Sequence, residues 1–198
     1  MKLFRNNLQT GIRLLWQFTW QESLSCFFAG YILLMLVVTR YYPLPGMPRY
    51  DYMLIFCIAM QVAMVWLFKM ETVDELKVIC LFHMLGTTME IFKVRMGSWS
   101  YPEDGYTKFM GVPLYGGFMY ASVASYITQA WRRLQLQIEN FTPAWINLLI
   151  GSLIYLNFFT HHFIFDIRYI LLAIVAIVYW RTRVHFKVGD KSFTMPLI

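Results

Sequence analysis

The sequence predicts an all-α integral membrane protein of six transmembrane helices, with an N-terminal interfacial helix and a short C-terminal cytoplasmic β-hairpin. Three observations carry that prediction. Charged residues are only 14% of the 198, where a soluble domain carries about 25%. Hydrophobic residues reach 59% and fall in spaced runs, several close to the roughly 20 residues that a bilayer-crossing helix needs. Aromatic residues reach 19%, which suits a chain whose Trp and Tyr rings sit at membrane–water interfaces. The net charge of +6 comes from basic residues that flank the apolar runs and form no single patch. That distribution matches attraction to anionic lipid and gives no sign of a nucleic-acid partner.

Residues 1–20 read as an interfacial amphipathic segment. Phe4, Leu8, Ile12 and Leu15 fall on one helical face. Arg5, Asn6, Asn7, Gln9 and Arg13 break any apolar core, so a cleavable signal peptide is not expected. The six-helix domain then occupies 21–182. Its first span is Leu24–Val38, closed by Arg40 and the proline-rich "YYPLPGMPRYD". The second is Tyr52–Phe68, bounded by Asp51 and Lys69. The third opens at "TVDE", where Thr72 and Glu75 have capping-box spacing, and runs to about Met96. The fourth runs from Pro113, well placed for a first helical turn, to Trp131. The fifth begins near Pro143 and the sixth ends near Trp180. Residues 183–198 form the tail: Val184, Phe186 and Val188 alternate with His185 and Lys187, and Gly189-Asp190 makes a two-residue hairpin turn.

Charge asymmetry sets an orientation. With a cytoplasmic N-terminus and alternating helices, eleven Lys and Arg residues fall inside, from Lys2, Arg5 and Arg13 to Lys187 and Lys191. Six fall outside: Arg40, Arg49, Lys93, Arg95, Lys108 and Arg168. The positive-inside rule then puts both termini in the cytoplasm, for a multi-pass protein of the cytoplasmic membrane. Cys26, Cys57 and Cys80 lie in apolar runs and read as small core residues.

Polar residues inside such segments are costly and are candidate functional positions. His83, Thr87, Glu90 and Val94 share one face of the third helix. Glu90 falls in its outer half, with His83 deeper by about 10 Å at a rise of 1.5 Å per residue. The stretch "GSWSYPEDGYTKFMGVPLYGG" reads as the longest outer loop, either an interfacial turn with aromatic anchors or a re-entrant lid. Glu103 and Asp104 read there as solvated charges. Gly117, Ala121 and Ser125 form a small-residue stripe for close helix packing.

"NFFTHHFIFD" is the second polar concentration. Asn157 and His161 are four apart, as are His162 and Asp166. Asp166 also suits the N-cap of the last helix, and each histidine suits an interfacial ring. On the six-span topology the stretch faces the same side as Glu90. Convergence of Glu90, His161, His162 and Asp166 at one outer mouth is therefore expected, either as acid/base groups or as ligands to zinc or a similar divalent ion. Asn157 would orient a histidine. Trp99 and Tyr101 would lie over the opening, and His83 would line its depth.

"EIFKVRMGSWSYPE", "GVPLYGGFMYASVASYI", "NFFTHHFIFDIRY" and the closing "MPLI" resemble the bacterial integral membrane family called domain of unknown function 817, over about residues 85–198. The resemblance implies an integral membrane protein without an assigned reaction. Similar proteins continue past the "MPL" segment, and this chain is expected to lack that C-terminal part. Three function classes stay open: modification of a lipid or small apolar molecule at the outer face, binding or carriage of such a molecule, and a non-catalytic role beside other membrane subunits.

Overall fold

The computed structural model describes the backbone of residues 2–198 and the side chains of residues 8–198. The expectations for the Lys2, Phe4 and Arg5 side chains lie outside the described residues. The chain divides into two compact units, Met1–Arg133 and Leu134–Ile198.

In the first unit, α1 (Lys2–Ser25) breaks at Cys26 before α2 (Phe27–Tyr41). The first apolar segment was expected to start at Leu24, but the chain bends there by 61° between the two helices. Leu8, Ile12 and Leu15 are all exposed. α3 (Arg49–Val62) runs on into a π-helical stretch, Ala63–Leu67. This widened turn is closed by Phe68 N–H donating to Ala63 O at 2.7 Å and Met70 N–H donating to Met64 O at 2.8 Å. Lys69, at φ 52°, then turns the chain out of the helix. α4 (Val73–Arg95) opens with the expected capping box: Glu75 N–H donates to Thr72 Oγ1, and Thr72 N–H donates to Glu75 Oε2.

Pro113 does not open the fourth helix. It belongs to β2 (Val112–Pro113), which pairs antiparallel with β1 (Lys108–Phe109), and α5 (Gly116–Arg133) starts after it. The left-handed turn at Met110 and Gly111 explains the difference, because it folds the chain back before the helix can start. α4 and α5 pack closely. A Cβ on Gly86 would lie 2.3 Å from the Tyr120 ring, and one on Gly117 would lie 2.3 Å from Thr87 Oγ1 and 2.7 Å from the His83 ring. The core between them is Ile79, Ala121 and Ala124, with Phe82 and Phe118 at its edge.

Cys57 is buried with Phe28, Ile32 and Met64, but Cys26 and Cys80 are exposed and are not core residues. An apolar run is core on one face only, and these two sit on the other.

The second unit holds β3 (Gln137–Glu139), α6 (Ala144–Thr160), α7 (Arg168–Tyr179), β4 (Arg183–Val188) and β5 (Lys191–Pro196). The tail hairpin forms in the expected register, with Val188 opposite Lys191 around Gly189-Asp190. Stacked Phe186 and Phe193 rings, 5.4 Å apart, join its strands. β3 adds a third strand against β4, which three residues of weak alternation could not announce.

All six apolar segments are therefore helical. By length and composition, though, one described helix, Arg49–Leu67, is sufficient to cross a membrane, or two if the bent pair Leu8–Ser25 and Phe27–Tyr41 makes one span. α6 and α7 are apolar but shorter.

Candidate functional site

Three polar constellations and one cavity stand out. The first surrounds Glu90, which is 6% exposed on the face of α4 toward α5. Its Oε2 accepts from Trp99 Nε1 at 2.8 Å and Tyr101 OH at 2.6 Å, and its Oε1 accepts from Tyr120 OH at 2.8 Å. One carboxylate thus ties the loop after α4 to both helices, so the expected closeness of Trp99 and Tyr101 to Glu90 has a specific form. Burial first, and then the hydrogen bond to the Glu90 carboxylate and its negative charge, push the Tyr101 hydroxyl pKa upward, which keeps it a neutral donor.

The same loop is pinned twice more. Asp51, in the first turn of α3, accepts from the N–H groups of Tyr106 at 2.9 Å and Thr107 at 2.7 Å. Glu103 is not a freely solvated charge, because Arg49 Nε donates to it at 2.8 Å and Arg40 lies 3.7 Å away. Asp104 is exposed, as expected.

The second constellation centres on Glu71, 4% exposed, just before α4. Its Oε2 accepts from Gln61 Nε2. Its Oε1 accepts from Ser125 Oγ and, at 3.0 Å, from Gln129 Nε2. Gln129 Oε1 in turn accepts from the Arg133 guanidinium at 3.0 Å. Ser125, expected only as a packing residue, therefore also donates to a buried carboxylate.

Beside this network lies a cavity of about 300 Å³. α3 and its π-helical end contribute Ile58, Gln61, Val62 and Trp66. α4 contributes Leu76, Ile79, Cys80, His83 and Met84, and α5 contributes Phe118 and Ala121. The surface it presents is apolar, because Gln61 and His83 turn carbon to it while Gln61 Oε1 and His83 Nδ1 are buried behind the wall. The His83 ring lies against Gly117, where an added Cβ would come within 2.7 Å of Nδ1.

The third constellation belongs to the second unit. Asn157 Nδ2 donates to Asp166 Oδ1 at 3.1 Å, and Asn157 Oδ1 accepts from Ile167 N–H at 3.0 Å. The Asn157 carbonyl lies 2.9 Å from His161 Nδ1, which makes Nδ1 the protonated nitrogen, and the His161 and His162 ring centres lie 4.0 Å apart with the rings tilted by 36°. Asp166 Oδ1 also accepts from Arg168 N–H at 3.0 Å, and Arg168 Nε pairs with Oδ2. Asp166 thus closes the first turn of α7 from two residues before it.

Glu90 lies in one unit, and His161, His162 and Asp166 lie in the other. Among the described residues no group of three or more His, Cys, Asp or Glu side chains could hold a metal ion. Asp166 is engaged by Arg168 and Asn157, and His161 Nδ1 by a carbonyl, so these residues do not fit the expected zinc site.

The Arg168 N–H first, and the Asn157 amide next, hold the Asp166 carboxyl below its ordinary 3.8. A lowered folded pKa contributes stability that is complete above the unfolded value and lost as pH falls through the folded one. Acidification below the ordinary carboxylate range should therefore loosen the α6–α7 turn. Amide exchange at Ile167 and Arg168 should accelerate there, and Asp166→Asn should remove this acid-linked step.

A family described as "Protein of unknown function (DUF817)" matches residues 14–198. The chain belongs to this family. The match reaches well before Leu85, where the motif resemblance was expected to begin. The chain is also 52% identical over 182 residues to "Uncharacterized protein YoaT" of Bacillus subtilis (strain 168), which covers 91% of this chain and 68% of that protein. No solved structure matches it.

Within this family member, sequence reasoning missed Asp51, Gln61, Glu71 and Gln129. Asp51 was read as a boundary residue, because acids at the ends of apolar runs normally meet water, and Glu71 lies between two apolar runs in the same way. Gln61 and Gln129 carried a usable signal: each is an amide inside a run read as spanning, where an unpaired polar group is costly.

Proposed function

We propose that this chain is a six-span protein of the bacterial cytoplasmic membrane, with both termini cytoplasmic, whose first unit binds a small apolar molecule. The cavity between α3, α4 and α5 is the observation that carries the reading. Its volume of about 300 Å³ is at the lower end of small-molecule sites, and a mostly apolar wall is their usual chemistry. Ile58, Val62, Trp66 and Met84 are exposed along its rim, so a ligand would enter sideways, from the hydrocarbon of a bilayer. The π-helical stretch, which follows Gln61 and carries Trp66, adds support, since such widened turns recur at functional sites.

Binding, and not modification, is favoured because Glu90 and Glu71 already accept hydrogen bonds from the protein on both oxygens. A carboxylate so occupied is a poor proton acceptor for a substrate.

Cys80→Trp tests the cavity. Cys80 is exposed at the rim, so the larger ring would fill the space without entering the core. Loss of binding of a fluorescent apolar probe, with the melting temperature unchanged, is expected. Undiminished probe binding would overturn the cavity as the site.

Orientation has its own test. A fluorescent-protein fusion after Ile198 should fluoresce, and an alkaline phosphatase fusion there should stay inactive. The reverse pair would overturn the cytoplasmic C-terminus.

A further inference from the structure

We propose that the apolar molecule of this cavity is one acyl chain of an anionic phospholipid, whose head group stays outside beside Lys69. The inference rests on the binding reading above and names the lipid to which the apolar part belongs. Gln61 and His83 turn carbon to the cavity, so its wall offers no polar atom to a ligand. A head group drawn inside would lose its water and gain no hydrogen bond, which is costly. The volume is about 300 Å³. At roughly 30 Å³ apiece, the share of a water molecule in the liquid, about ten methylenes fill it. One chain fits, and a second does not.

The open side suits a chain that already lies in a bilayer. Ile58, Val62, Trp66 and Met84 are exposed along the rim, so the second chain of the same lipid can stay in the surrounding hydrocarbon.

Charge complementarity selects the head group. Lys69 is exposed three residues beyond Trp66, where the chain turns out of the π-helical stretch. The acids that follow it each have a partner of their own. Glu71 accepts from Gln61, Ser125 and Gln129. Asp74 pairs with Lys77 at 2.7 Å, and Glu75 pairs with Arg132 at 2.9 Å. None of these acids answers the Lys69 charge, and a lipid phosphate would. An exposed Trp beside a Lys is also the pairing that marks a membrane–water interface, where the phosphates lie.

The test uses the whole chain in detergent micelles doped with equal amounts of phosphatidylglycerol and phosphatidylcholine that carry the same acyl chains. Native mass spectrometry counts the lipid that stays bound. The unaltered protein should hold one lipid and favour phosphatidylglycerol about fivefold, the effect of one basic residue near a charged surface. Lys69→Gln should still hold one lipid but take the two equally, because the cavity itself is untouched. Lys191→Gln, the same loss of charge at an exposed position of the second unit, should keep the preference. Cys80→Trp should hold neither lipid.

Equal uptake of the two lipids by the unaltered protein would overturn the anionic-lipid inference and leave the binding reading standing. A preference that survives Lys69→Gln, or that is lost equally in Lys191→Gln, would overturn the role of Lys69. If Cys80→Trp retains lipid as the unaltered protein does, or if no lipid binds at all, the binding reading itself falls.

Discussion

Glu90→Ala should cost the folded protein about 3–5 kcal/mol and release the loop after α4, while Glu90→Gln should cost about 1 kcal/mol. The alanine leaves the Trp99 indole, the Tyr101 hydroxyl and the Tyr120 hydroxyl facing an empty space. A buried donor stranded in this way loses its bond and remains desolvated. The glutamine can keep its oxygen toward Trp99 and Tyr101 and turn its nitrogen to Tyr120, whose hydroxyl can rotate to accept. Chemical denaturation in micelles gives the stabilities, and amide exchange over residues 97–101 reports the loop. A large loss in both variants would mean that the charge, and not the hydrogen-bond geometry, holds the loop. Unchanged stability in both would return Glu90 to a functional reading.

Glu71→Ala should be as damaging, by about 3–5 kcal/mol, because it disconnects a buried network. Gln61, Ser125 and Gln129 would each lose their acceptor, and Ser125 and Gln129 are fully buried. The loss should be accompanied by faster exchange in the turn at residues 68–72, which Arg132 also holds through Met70 O at 2.6 Å. A substitution of this exposed-looking residue that costs less than about 1 kcal/mol would be ordinary surface behaviour and would contradict the network.

The helices were legible because apolar run length and capping chemistry are local. Thr72 and Glu75 fixed the start of α4, and Gly189-Asp190 fixed the hairpin turn. The bend at Cys26 and the hairpin ahead of α5 were not legible, because neither the residue at the break nor the short β1–β2 pair departs from its surroundings in composition.

The site divides along the same line. Glu90 stood out as the one acid of α4 beyond its first turn, and its Trp99 and Tyr101 partners are near in sequence. Glu71 did not stand out, because its partners Ser125 and Gln129 are 54 and 58 residues away.

Binding of an apolar molecule in the first unit is tested most directly by lipid mass spectrometry of the protein purified from membranes, beside Cys80→Trp prepared in the same way. One apolar species enriched over bulk lipid should be retained near one molecule per chain, and it should be missing from Cys80→Trp. Equal retention by the two proteins, or no enriched species in the unaltered one, would contradict the account.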